Sequence, residues 1–230
     1  PMSARRQRQM CIRDRFGVAE DHDSNPIKMG LGKLKTRGAR VISVNPVQTG
    51  YAAISDDWYG VTPGTDGLLI LSLVRELMRA GKVDIDYLSR YTNAPWLVIR
   101  NPGRANDGLF LRDGDGTPMV LDRDSGKPAP HTDPKVRVAL HGEVKVKGGG
   151  TAVPAFMLMT EAYLADEYAP EKVAPKVGIS AARIRELATD LATAAFEKEV
   201  VIEQPWTDWK GERHERMIGR PVSMLSLIHI

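Results

Sequence analysis

Asn25 to Gly67 reads N-P-I-K-M-G-L-G-K-L-K-T-R-G-A-R-V-I-S-V-N-P-V-Q-T-G-Y-A-A-I-S-D-D-W-Y-G-V-T-P-G-T-D-G. Asn25-Pro26 is a helix-start signal, with Asn at the N-cap and Pro at the first helical position. Ile27, Leu31 and Leu34 then fall on one helical stripe. Lys33, Lys35 and Arg37 crowd the last turn, where cations suit the helix dipole, and Gly38 is a natural stop. Val41 to Val44 is a short β-branched run with the character of a buried strand. Helix, tight loop and apolar strand make one half of a parallel crossover unit. The chain is therefore expected to be α/β, with a doubly wound, mostly parallel, Rossmann-like sheet.

Outward from this stretch the pattern continues. A weaker strand is expected around Trp58 and Tyr59. Pro63-Gly64 is a turn, and Thr65 or Asp66 caps a helix that runs to Ala80 and closes on Gly81. Ser72, Arg75, Glu76 and Arg79 share its one polar face, and leucines cover most of the rest. A short helix follows near Asp84 to Tyr91. Residues 95–155 change character, rich in Gly, Pro and Asp with short alternating runs, as in a β-hairpin-rich insertion. Helical pattern returns at Phe156 to Leu164. It returns again after Ser180, an N-cap, with Ile184, Leu187 and Leu191 as the inner stripe. Val200 to Ile202 has the composition of a last buried strand. The expected organisation is an α/β domain over 16–94, the insertion over 95–155, and a return to the α/β domain over 156–224.

The two ends stand apart. Arg5, Arg6, Arg8, Arg13 and Arg15 against Asp14 give residues 1–15 a net charge of +4, whereas the whole chain carries +3, so residues 16–230 sum to −1. The basic excess thus belongs to one tail, and a nucleic-acid partner is not expected. R-Q-M-C-I-R-D-R (Arg8 to Arg15) and L-S-L-I-H-I (Leu225 to Ile230) resemble translated sequencing-adapter sequence found on gene fragments assembled from environmental DNA. Residues 1–15 and 225–230 are on that ground expected to be non-native tails. An Arg-rich targeting peptide is the alternative for the first. Cys11 is the only cysteine, and it lies in the first tail. Residues 16–224 therefore offer no disulfide, thiolate nucleophile or C-x-x-C metal site. No apolar run has the length of a membrane-spanning helix, and direct membrane insertion is not expected.

Two loops carry the chemistry. V-N-P-V-Q-T (Val44 to Thr49) follows a strand directly. Asn45 can donate and accept at a ribose or base edge, Pro46 stiffens the exit, and Thr49 offers a hydroxyl. An ordinary strand-to-loop turn uses the same residues. P-G-T-D-G (Pro63 to Gly67) opens a helix: Gly64 permits close backbone approach, and the helix N-terminus supplies free N–H groups. Asp66 has two uses open to it. It can cap the helix, or its carboxylate can accept from the adjacent ring N–H and amino group of guanine. Elsewhere the signals are thin. G-L-G-K (Gly30 to Lys33) lies inside a helix and lacks phosphate-loop spacing. D-G-D-G (Asp113 to Gly116) lacks the glutamate of a calcium loop and suits a hairpin turn. Glu20, Asp21, His22 and Asp23 form a solvated acidic run, and His131, His141 and His214 are scattered without ligand spacing. No metal site and no catalytic residue is assigned.

The order of these pieces resembles the molybdopterin oxidoreductases of the dimethyl sulfoxide reductase family. The resemblance rests on F-G-V-A (Phe16 to Ala19), S-N-P (Ser24 to Pro26), R-V-I-S-V-N-P-V-Q-T (Arg40 to Thr49), P-G-T-D-G-L-L (Pro63 to Leu69), D-I-D-Y-L-S-R-Y-T (Asp84 to Thr92) and the segment Tyr168 to Ala188. It implies that the loops hold one guanosine end of a bis-(molybdopterin guanine dinucleotide) cofactor carrying molybdenum or tungsten. Asn25, Asn45, Pro46, Thr49, Gly64, Thr65 and Asp66 are the positions carried over as cofactor-binding. One departure stands out: the family often has Arg or Lys where this chain has Val47 and Gln48, so a positive contact to the phosphates is absent there or supplied elsewhere. The resemblance also implies a 4Fe–4S cluster and a metal-ligating residue upstream of Phe16, so the chain is expected to be an internal piece of a catalytic subunit. That parent is expected to partner with an iron–sulfur electron-transfer subunit, joined by a membrane-anchor subunit. The insertion resembles the branch acting on sulfur oxyanions such as sulfite, thiosulfate or tetrathionate. A formate dehydrogenase-like parent and a non-catalytic nucleotide-binding α/β module are the alternatives.

Overall fold

A computed structural model of the chain describes residues 26–48, 52, 55–208 and 211–224. The chain divides into two compact units, one comprising residues up to Glu76 and from Glu167 onward, the other running from Leu77 to Asp166. In chain order the elements begin with α1 (Pro26–Thr36), β1 (Ile42–Val44), β2 (Asp57–Tyr59), α2 (Asp66–Arg79) and α3 (Ile85–Tyr91). Strands β3 (Leu97–Arg100), β4 (Met119–Asp122), β5 (Pro128–Pro130), β6 (Val138–Ala139), β7 (Val144–Lys145) and β8 (Thr151–Pro154) follow. Helices α4 (Ala155–Tyr163), α5 (Pro170–Val177) and α6 (Ala181–Ala192) lead to β9 (Val200–Ile202), β10 (Trp206–Thr207), β11 (Arg213–His214) and β12 (Met217–Gly219). No helix among the described residues is long and apolar enough to cross a membrane.

In the first unit β1 and β2 pair in parallel, Ile42 opposite Asp57 and Val44 opposite Tyr59. Parallel neighbours cannot be joined by a tight turn, so the chain from Asn45 to Asp56 makes the connection. Tyr59 and Val61 then meet Leu69 and Leu73 of α2, Val173 and Val177 of α5, and Ile184, Leu187 and Ala188 of α6 in one buried cluster. The local sequence explains why α6 presents that face. The Ser180 side chain caps the helix by accepting from the Arg183 N–H, and Ile184, Leu187 and Ala188 recur at helical spacing behind it.

Charges fasten the entering ends of the two strands. Arg40 pairs with Asp57 at 2.6 Å and with Asp190 of α6 at 2.8 Å. Lys35 pairs with Asp56 at 2.8 Å, and Asp56 also accepts from the Val41 N–H. The Lys35 hydrogen bond, helped by that N–H, holds the Asp56 carboxyl below its usual range. The Arg185 guanidinium does the same to Glu171, and the Ser125 hydroxyl to Asp122. A carboxyl depressed in the folded state contributes stability above its unfolded pKa and loses it as pH falls through the folded value. Urea midpoints are therefore expected to fall on acidification through the carboxylate range and below it, and Asp56→Asn should flatten that dependence. An unchanged slope in Asp56→Asn would show that its pairing adds nothing.

The second unit is antiparallel. Its sheets have the strand orders β3-β8-β7 and β5-β4-β6, and Leu97, Leu121, Val144 and Ala152 form its core. Asp84 caps α3 by accepting from the Tyr87 N–H at 2.8 Å. Asp113 to Gly116 make a tight turn, with the Asp113 carboxylate accepting from the N–H groups of Asp115 and Thr117.

Two expectations from the pattern, at Leu34 and at Val200 to Ile202, meet a different arrangement, and α2 adds a feature the pattern leaves open. Leu34 is 50 % exposed, and the Ile27 and Leu31 side chains lie outside what is described. Part of the polar face of α2 turns inward: Ser72 is fully covered and Arg75 is 7 % exposed, while Arg79 is exposed. Arg75 pairs with Glu76 at 3.0 Å, Glu76 reaches Arg185 of α6 at 3.5 Å, and Arg185 pairs with Glu171 of α5. This charged seam lets an arginine sit among apolar helices, since a buried charge must be paired. Finally, Val200 to Ile202 do form a strand, but they pair antiparallel with β12 and are 41–47 % exposed. A ribbon of two strands has too few neighbours to cover both faces. Among the described strands β1 and β2 are the parallel pair. Residues 1–15 and 225–230, assigned to foreign tails, lie outside the described residues.

Candidate functional site

Because β1 and β2 run parallel and in register, Val44 and Tyr59 end side by side. The chain leaves both strands at one edge of the pair, the edge at which open α/β sheets present a ligand crevice. The two loops singled out in the sequence begin there. The Asn45 N–H donates to the Tyr59 carbonyl at 3.1 Å. The Trp58 indole N–H donates to the Asn45 carbonyl at 3.1 Å. Its ring lies so close to Gly60 that a Cβ there would come within 2.8 Å of it. Trp58 thus ties the Asn45 loop to the chain just past β2. The Asn45 side-chain oxygen accepts from the Val47 N–H at 2.8 Å, which folds the loop back at Pro46. Asn25 and Thr49 lie outside the described residues, as do Glu20 to Asp23.

The second loop is closed by Thr65. Its N–H and its hydroxyl both donate to the Thr62 carbonyl, at 3.1 and 2.7 Å, with Gly64 turning at a φ of +84°. The hydroxyl of Thr65 is therefore spent on the turn. Asp66 is the first residue of α2 rather than the residue before it. One of its carboxylate oxygens, Oδ1, is buried without a hydrogen-bond partner. Such an orphaned acceptor costs about 1–3 kcal/mol, which a donor brought by a ligand would offset.

The helices behind hold this loop in place. The Thr62 N–H donates to the Val177 carbonyl at 2.9 Å. Gly178 takes a φ of +78°, and a Cβ there would sit 3.1 Å from the Thr62 hydroxyl. Gly178→Ala is expected to cost about 1–2 kcal/mol from the left-handed backbone alone and to displace Thr62. Chemical denaturation would reveal it, and an unchanged midpoint would show that the loop yields freely. One helical turn into α6, the Arg183 guanidinium stands 4.2 Å above the Tyr59 ring. Burial pushes the Tyr59 phenol up, and Arg183 opposes that shift.

Sequence spacing overlooked one cluster. His214 stands 3.3 Å from Asp208, with Glu212 beside them, next to the paired strands β10 and β11. The D-x-x-x-E-x-H spacing around Gly211 is the signal that could have found it. In the second unit a hollow of about 650 Å³ is lined by Leu140, His141, Phe156, Met157 and Arg123 among others; none of the carried-over positions reaches it.

No family model matches the chain. Over 217 residues, 90 % of its length, it is 40 % identical to a sulfite dehydrogenase subunit of Allochromatium vinosum, covering 22 % of that protein. It is 27 % identical over 205 residues to a perchlorate reductase subunit of Dechloromonas aromatica, an overlap of 71 % of this chain and 22 % of that one. With a tetrathionate reductase subunit of Salmonella typhimurium the identity is 29 % over 135 residues, 47 % of this chain and 13 % of the relative. The chain belongs to the molybdopterin oxidoreductases of the dimethyl sulfoxide reductase family. It spans about a fifth of the length of the first two relatives.

Proposed function

We propose that this chain is part of the catalytic subunit of a molybdopterin-dependent oxidoreductase whose substrate is a sulfur oxyanion. In this reading the loops at the ends of β1 and β2 hold the guanosine end of a bis-(molybdopterin guanine dinucleotide) cofactor. The observation that carries it is the unpartnered Asp66 oxygen at the start of α2. Guanine presents two adjacent donors, its ring N–H and its exocyclic amino group, and a carboxylate is their natural acceptor. Adenine has no such pair. Asn45 would donate its amide to the ribose, and Gly64 and Thr65 would lend backbone N–H groups near the helix N-terminus, where negative charge is favoured. With Val47 and Gln48 uncharged, Arg183 is a cation placed beside the strand ends. When bound, the cofactor supplies a molybdenum or tungsten centre for oxygen-atom and electron transfer.

The sulfur-oxyanion substrate is supported by likeness to relatives named for sulfite and tetrathionate. Those relatives are themselves named as subunits, which supports assembly with further chains; in this reading an iron–sulfur electron carrier and a membrane anchor are among them. The reading also takes β1 and β2 as part of a doubly wound α/β sheet, which the strand–loop–helix order supports. Titrating guanosine and adenosine monophosphates into the purified chain by calorimetry tests the site. Guanosine selectivity is expected, and equal binding or none would overturn it. A full-length protein carrying this segment, assayed with sulfite, tetrathionate and formate, tests the substrate class.

A further inference from the structure

We infer that the β10–β11 hairpin carries a binding site for a divalent transition ion of the zinc class, built from Asp208, Glu212 and His214. Each residue offers one ligand atom, and the three atoms lie within 4.8 Å of one another. The His214 Nε2 and an Asp208 oxygen are 3.3 Å apart. Two ligands at tetrahedral positions, each about 2.0–2.1 Å from a zinc ion, are separated by about that distance. Those two donors therefore already stand where an ion would need them. Glu212, the exposed member of the set, closes on the ion from the solvent side.

The hairpin fixes these groups before any ion arrives. Trp206 lies opposite His214 in the ladder, and the two rings stack with centroids 4.8 Å apart and planes 22° from parallel. That stacking holds the imidazole plane. Asp208 exchanges bonds with the backbone of Glu212: its N–H donates to the Glu212 carbonyl, and its Oδ1 accepts from the Glu212 N–H, both at 2.9 Å. One oxygen is thus occupied by the backbone while Oδ2 turns to the imidazole. The donor set decides which ion fits. Calcium and magnesium take oxygen ligands, whereas an imidazole nitrogen with two carboxylates suits zinc, nickel or cobalt. Three protein ligands leave coordination positions for water, and the bound ion would pin the two strands together. This inference does not rest on the nucleotide reading, because none of its residues belongs to that site.

The experiment uses the purified chain, stripped with a chelator and titrated with zinc(II) by calorimetry. One ion per chain is expected. His214→Gln and Asp208→Asn should each weaken it by about ten- to a hundredfold or more, while His22→Gln leaves it unchanged. Removing His214 also removes the stack on Trp206, so a second measurement spares the side chain. Diethyl pyrocarbonate labelling of the wild-type chain, read by mass spectrometry, should modify His214 without zinc and spare it with zinc. Absence of uptake, affinity unchanged in His214→Gln, or equal His214 labelling with and without zinc would overturn the site and leave a plain His–Asp pair.

Discussion

Asp66→Asn is expected to weaken guanine nucleotide binding by about ten- to a hundredfold and to leave the melting temperature nearly unchanged. In the proposed pairing the carboxylate would offer two acceptors to two guanine donors, and the amide would replace one acceptor with a donor that faces them. A charge-assisted hydrogen bond of this kind is worth roughly 1.5–3 kcal/mol, which gives the stated loss. The effect on folding is smaller because two terms oppose each other. A negative charge in the first helical turn is favoured by about 0.3–1 kcal/mol, but this carboxylate also holds a buried oxygen without a donor. Calorimetry with guanosine monophosphate, alongside thermal melts, separates the outcomes. Wild-type affinity in the variant would remove guanine from Asp66. A large fall in melting temperature would make the residue structural.

The largest effect on stability is expected from Ile184→Ala, at about 2–5 kcal/mol. Ile184 is fully covered, in contact with the core that α2, α5, α6 and the end of β2 share. Truncation leaves a void that neighbours from four elements cannot all fill. Domains of ordinary stability have about 5–15 kcal/mol to lose, so the variant should sit close to unfolding at 37 °C. Leu34→Ala is the matched control: its side chain is exposed, and a shift beyond about 0.5 kcal/mol is not expected. Guanidinium titrations of both variants decide it, and equal midpoints would mean that the cluster is not the core.

What the sequence made legible was local. The Ser180 cap, the Ile184 and Leu187 stripe, the Val41 to Val44 run and the Asp84 start each follow from residues within one or two turns. What it hid depends on partners far along the chain. Nothing near Arg75 announces Arg185 and Glu171, so the polar face of its helix is legible while the charged seam that covers Arg75 is not. The β-branched run at Val200 has the composition of a buried strand, but composition cannot say that its neighbour is a lone β12. Thr65 or Asp66 is legible as the helix start, and the structure puts Thr65 just before the helix and Asp66 first within it; that the Thr65 hydroxyl turns back to the Thr62 carbonyl is not legible from the pattern. The Asp208 and His214 pairing needed a hairpin turn that histidine spacing alone does not encode.

The Arg40 pairs stand at the entering ends of β1 and β2, and the Asn45 loop leaves from the opposite end. Anchorage and chemical selectivity are thereby assigned to different residues. Changes separated in this way and sharing no partners tend to add independently. If the proposed nucleotide site holds, a designer could exchange Asn45, Val47 or Gln48 to retune which base or phosphate it takes while the Arg40 anchorage stays in place. The scaffold behaves as a socket whose lip can be recut without loosening its mount.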